Sequence, residues 1–201
     1  MSLSERIASF LESDAVGQIH FRASGTAVYG SGYGIIARAI RNRHIQCQEN
    51  VRFDRAMACY RHSVGPNQVN VLDVSTDAAP VEGVEACGLI VHECTHALQD
   101  YHRRSLTVID AECAAYIAQA MYWHIATRGV FPGQAGSQHV GLSVVAWNIA
   151  HRILTTPQAY DATPEEIQTL KTQILTIDVY KTRQDDIQAF DGLIRGQSMR
   201  P

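Results

Sequence analysis

Leu89-Ile90-Val91-His92-Glu93-Cys94-Thr95-His96-Ala97-Leu98 is the stretch on which the fold turns. The two positions between Glu93 and His96, the residue before His92 and the two after His96 are all uncharged, and no proline interrupts the run. The pattern predicts a helix from about Val84 to Tyr101 held rigidly against a core. On such a helix two histidines four apart project from one face, one turn above the other. Their imidazole nitrogens can therefore converge on a single cation, with Glu93 beside that face. A zinc ion held by three protein ligands lowers the pKa of its bound water to about 7, and a neighbouring carboxylate can take the proton as that water attacks a carbonyl. The HExxH pentad points to zinc-dependent hydrolysis, most often of peptide bonds.

A third ligand is required, and two residues offer themselves. His102 stands six residues after His96, which resembles the HExxHxxGxxH spacing of the metzincins, whose glycine lets the chain turn sharply; Gln99 holds the glycine position here. Continued helix sets His102 about 120° around the axis from His96, aimed away from the ion. Glu112 is the stronger candidate. It lies in 108–118, an alanine-rich segment that reads as a second helix able to approach the first closely. A carboxylate set among alanines is expensive to bury unless paired or coordinated. Asp110 and Cys113 share the segment but face about 200° and 100° away from Glu112, and Asp110 also suits the positive end of a helix dipole.

With His92, Glu93, His96 and Glu112 in this order, the chain resembles the zincin metallopeptidases, and among them the gluzincin arrangement, in a compact bacterial form also found among toxin and effector domains. The likeness covers roughly residues 66–125. It implies an α+β zincin-like fold, with a small, mostly antiparallel sheet, an active-site helix and several further helices. It further implies Zn2+ held by His92, His96 and Glu112, with Glu93 as general base. Some gluzincins place an aspartate four residues after the ligand glutamate to orient a histidine. This chain has Tyr116 there, which leaves Asp73, Asp77 or a backbone carbonyl as supports. Likeness also implies an edge strand shortly before the helix that binds extended substrate by strand addition, for which 68–74 is the expected segment.

The rest of the chain is read more coarsely. Apolar residues at 3, 7, 10 and 11 suit an amphipathic helix over 3–13, and 19–29 reads as a strand. Gly30-Ser31-Gly32-Tyr33-Gly34 lacks the endings of a phosphate or dinucleotide loop, so a turn or bulge is expected. Segments 52–63 and 68–74 flank Val64-Gly65-Pro66-Asn67, which reads as a hairpin turn. Helices are expected over 108–128, 140–154, from Thr163-Pro164-Glu165-Glu166 to about 177, and over 185–194. The oxyanion of peptide hydrolysis needs a donor. His139 is nominated, with Tyr116, Tyr122, His124 and His151 as alternatives.

At 201 residues, 46% hydrophobic and 18% charged, the chain suits one domain over 1–201. A strand-rich part would occupy 1–75, a helical part 79–194 and a tail 195–201. A net charge of −3 speaks against a nucleic-acid partner, and Arg38, Arg41, Arg43 and His44 read as a solvated face. No apolar run is long enough to span a membrane, and the start lacks a Sec-type signal. Five cysteines without C-x-x-C pairs favour reduced thiols, hence a cytoplasmic location or export by a leaderless route. The expected partner is a peptide or protein substrate. A non-catalytic zinc-binding interaction module of the same fold is the alternative.

Overall fold

The structure, a computed structural model, describes residues 1–50, 58–63, 69–75, 82–132, 140–190 and 192–193. Helix α1 (Leu3–Leu11) starts at Ser2, whose side chain accepts from the Glu5 amide, and it buries Ile7, Ala8 and Leu11. A short α2 (Asp14–Gly17) leads into β1 (His20–Ala23) and β2 (Thr26–Tyr29), an antiparallel hairpin where one strand was expected over 19–29. Ser24 and Gly25, at φ of 48° and 73°, supply the two positive φ values that a tight hairpin turn needs.

Helix α3 (Gly30–Arg41) begins at the glycine-rich segment, which is therefore neither a turn nor a bulge. Two of its three glycines answer to packing. A Cβ on Gly30 would fall 2.1 Å from the Gly17 carbonyl oxygen, and one on Gly32 would lie 3.0 Å from a Leu98 methyl. Close backbone approach offsets the poor helix propensity of glycine. Arg41, in the last turn, is bonded to Glu5 and Glu12 on and just after α1, at 3.0 and 2.7 Å.

Strands β3 (Ile45–Asn50), β4 (Ala58–Arg61) and β5 (Asn70–Ser75) form a sheet in the order β3-β5-β4, with β5 parallel to β3 and antiparallel to β4. The expected β4–β5 hairpin forms, with Tyr60 opposite Leu72; its turn, 64–67, lies outside the described residues. The expected edge strand is nevertheless the central one. Five of the six β5 residues are buried, and the lack of alternation in its sequence is what coverage on both faces produces. Among the described residues, the edges belong to β3 and β4.

Helix α4 (Val84–Tyr101) carries the HExxH pentad; after a short connection, β6 (Ser105–Thr107) leads into α5 (Val108–Ala126). Thr107 caps α5 by accepting from the Asp110 amide at 3.1 Å. Ala111, Ala114, Ala115 and Ala118 are wholly buried. Close spacing of α4 and α5 is also written in Gly88, where an added Cβ would meet the Trp123 indole at 2.1 Å; that indole N–H donates to the Val84 carbonyl. Gly88→Ala is expected to destabilise the fold by about 2 kcal/mol, since overpacking of about 3 kcal/mol exceeds the ~1 kcal/mol gained in helix propensity. Urea denaturation measures it, and an unchanged midpoint would contradict this packing.

Helix α6 (Val140–Thr155) and α7 (Pro164–Ile174) follow, the latter opened by the expected capping box of Thr163 and Glu166. A turn of helix, α8 (Asp178–Lys181), precedes β7 (Ile187–Ala189), which pairs antiparallel with β6. The helix expected over 185–194 is thus replaced by a strand. The segment between α4 and α5 exposes backbone groups that need partners, and β7 supplies them. Its flanks add Val108 N–H to the Asp186 carbonyl and Phe190 N–H to the Arg104 carbonyl. Among the described residues, the 1–75 part carries three helices beside five strands, and 79–194 includes β6 and β7. Among the described residues no helix is long and apolar enough to cross a membrane.

Candidate metal centre

Helices α4 and α5 bring His92, His96 and Glu112 together, with one potential ligand atom from each inside a 4.8 Å cluster. His92 Nε2 is 3.2 Å from Glu112 Oε2, and His96 Nε2 is 3.5 Å from Glu112 Oε1. The three side chains are only 7%, 9% and 12% exposed. Among the described residues, Glu112 Oε2 is buried without a hydrogen-bond partner, which a carboxylate tolerates poorly.

The outer nitrogens of both imidazoles explain that orphan. His96 Nδ1 is 3.0 Å from Gln99 Oε1, and His92 Nδ1 is 3.2 Å from Gln119 Oε1. The Gln99 amide is fixed in this sense because its nitrogen donates to the Ala111 carbonyl at 3.1 Å. An amide oxygen only accepts, so His96 Nδ1 carries a hydrogen, and both Nε2 atoms are turned toward Glu112. Two imidazole nitrogens and a carboxylate then share one small volume, an arrangement that calls for a positive charge, supplied by a proton or by a metal ion. Burial pulls the His96 pKa down, but the Glu112 charge and hydrogen bond outweigh it and raise the value to about 9. Burial likewise opposes ionisation of Glu112, yet the two histidines hold its pKa far below the carboxylate range. The donor set fits a zinc ion.

Glu93 stands beside the pair, its Oε2 accepting from the Tyr60 amide of β4 at 2.7 Å. Burial raises its pKa, against the lowering effect of His92 and His96. Tyr116 lies edge-on to the His92 ring at 4.6 Å. The Tyr180 hydroxyl of α8 neighbours Glu112 and Tyr116; burial first, and the Glu112 charge next, keep it protonated far above its ordinary range.

Residues 59–188 match the family described as "putative neutral zinc metallopeptidase". The chain belongs to this family. No curated protein and no solved structure matches it. The metallopeptidase match opens in β4 and closes in β7, so it takes in the edge strand, both helices that bear the cluster, and α8.

The other residues singled out in the sequence lie elsewhere in this family member. His102 is exposed just past the end of α4, its ring against Tyr101. Asp110 is tied to Thr107 and Lys171 at the start of α5. Tyr122 packs on Phe10, and His124 bonds to His151 at 3.0 Å. Asp73 does not support the histidines, because Gln48 and Arg61 occupy it at 2.7 and 2.6 Å. Asp77 and His139 lie outside the described residues.

The supports that sequence reading missed are Gln99, Gln119 and Tyr60. Helical spacing held the signal for two of them: Gln99 is three after His96, and Gln119 seven after Glu112. Gln119→Leu is expected to weaken zinc binding about 10- to 100-fold by leaving His92 Nδ1 without its acceptor. Competition against a chromophoric chelator reads that loss directly.

Proposed function

We propose that this chain is a zinc-dependent peptidase of the gluzincin arrangement, a single zincin-like domain over 1–201 in which His92, His96 and Glu112 hold the metal. The buried Glu112 carboxylate, with an imidazole nitrogen against each of its oxygens and with Oε2 lacking a hydrogen-bond partner among the described residues, carries this reading. When bound, zinc supplies Lewis acidity toward a carbonyl and lowers the pKa of water. The protein's own groups do the rest. Gln99 and Gln119 hold the imidazole tautomers, and Glu112 places a negative charge in the closed wall of the site. Glu93 Oε1, the oxygen not engaged by Tyr60, takes the proton of the attacking water and delivers it to the leaving amine. We assign the oxyanion donor to Tyr180, kept protonated beside Glu112, a role for which His139 was the nominee from sequence.

Metal-free protein titrated with zinc should take up one ion per chain. Cleavage of dye-quenched casein should vanish with a chelator and return with one equivalent of zinc. Stoichiometric zinc with neither casein nor a peptide library cut would instead establish a non-catalytic binding module.

A further inference from the structure

Glu93 is spoken for in the mechanism, yet α4 carries another acid on the same face that the chemistry does not use. Asp100 follows Glu93 by seven residues, close to two helical turns. It is wholly buried, at 0% exposure. Burial of a carboxylate is costly unless hydrogen bonds satisfy it, and both its oxygens are satisfied from outside α4. Oδ2 accepts from the Tyr60 hydroxyl at 2.6 Å, and Oδ1 accepts from the Gly192 amide at 2.9 Å.

Tyr60 therefore grips α4 twice. Its amide donates to Glu93 Oε2 and its hydroxyl to Asp100 Oδ2. Strand β4 lies at the edge of its sheet, and an edge strand has outward amides without a neighbouring strand; at Tyr60 that amide meets the proposed general base. A carboxylate turns easily about its last torsion, whose profile is broad. A fixed backbone donor removes that freedom for Glu93, provided that β4 itself cannot slide. The hydroxyl bond to Asp100 supplies that restraint two turns away, and Gly192 completes it from the C-terminal segment. Phe190 of that segment also lies edge-on to His62, two residues beyond Tyr60, at 5.4 Å.

We propose that Tyr60 is a positioning residue of the reaction: clamped to Asp100 by its hydroxyl, it holds its amide against one oxygen of Glu93 and so aims the other at the water. The inference rests on the peptidase reading for its kinetic consequence and on the two bonds of Tyr60 for the clamp itself.

Tyr60→Phe removes only the hydroxyl. The variant should bind one zinc per chain as wild type does. Its kcat on dye-quenched casein should fall about 10- to 100-fold with KM within about twofold, because misalignment acts on the reacting geometry. Amide hydrogen exchange at position 60, followed in the zinc-loaded protein, should quicken about tenfold or more as the strand loosens. Tyr160→Phe, at an exposed tyrosine, is the control and should change none of these. Unchanged exchange at position 60 overturns the clamp whatever the activity. Faster exchange with unchanged kcat overturns the positioning role. Wild-type protein that cuts nothing sinks the peptidase reading, and exchange at position 60 then decides alone whether the clamp exists.

Discussion

Glu93→Gln protein is expected to hold one zinc per chain and to turn over about 100- to 10,000-fold more slowly than wild type, the range that loss of a general base produces. Glutamine keeps the length of the side chain and an oxygen able to accept from the Tyr60 amide, so the bond at 2.7 Å between β4 and α4 has a replacement. What it lacks is a site for the proton of the attacking water. The change should therefore appear in kcat and not in metal content, and the two are measured separately by casein cleavage and by metal analysis of the same preparation. A loss of less than about fivefold would mean that Glu93 does not serve as the base.

Zinc affinity should respond most to Glu112. Glu112→Ala removes one of three ligands and leaves two imidazole lone pairs facing an empty, buried volume. The loss should exceed the roughly 100-fold that is the upper end for disturbing an outer partner of a metal ligand. His102→Ala, by contrast, should leave binding unchanged, since that residue is exposed beyond the end of α4. Titration of the two variants side by side separates the gluzincin arrangement from its competitor. Should His102→Ala lose the metal while Glu112→Ala keeps it, the third ligand has been wrongly assigned.

The meeting of His92, His96 and Glu112 could be read from sequence because each of its parts is a local rule. Helical period puts His92 and His96 on one face, and a carboxylate among alanines at 112 demands compensation on burial. The capping box at Thr163 was legible for the same reason, since it involves residues only three apart. Segments whose fate depends on distant neighbours were less legible. The glycines at 30 and 32 read as a turn, but they serve close contact with Gly17 and Leu98 inside a helix. The 185–194 segment has an ambiguous local pattern, and the open backbone of β6 drew part of it into a strand. Strand 68–74 was expected at the sheet edge, yet the order β3-β5-β4 puts it in the middle.

Sequence alone determined the chemistry on offer: the HExxH helix, the acid at 112, and the uncharged flanks that keep the helix in a core. Those depend on residue type and on a spacing of 3.6 residues per turn, which a linear string carries in full. Tertiary structure decided which groups hold those residues in place. Gln99 and Gln119 stand against the outer histidine nitrogens, β4 sets its Tyr60 amide on Glu93, and Gly192 returns from the far end of the chain to Asp100. Hydrogen bonds between residues 33 and 92 positions apart leave no periodic trace in a sequence, because their partners meet only once the helices and the sheet have packed.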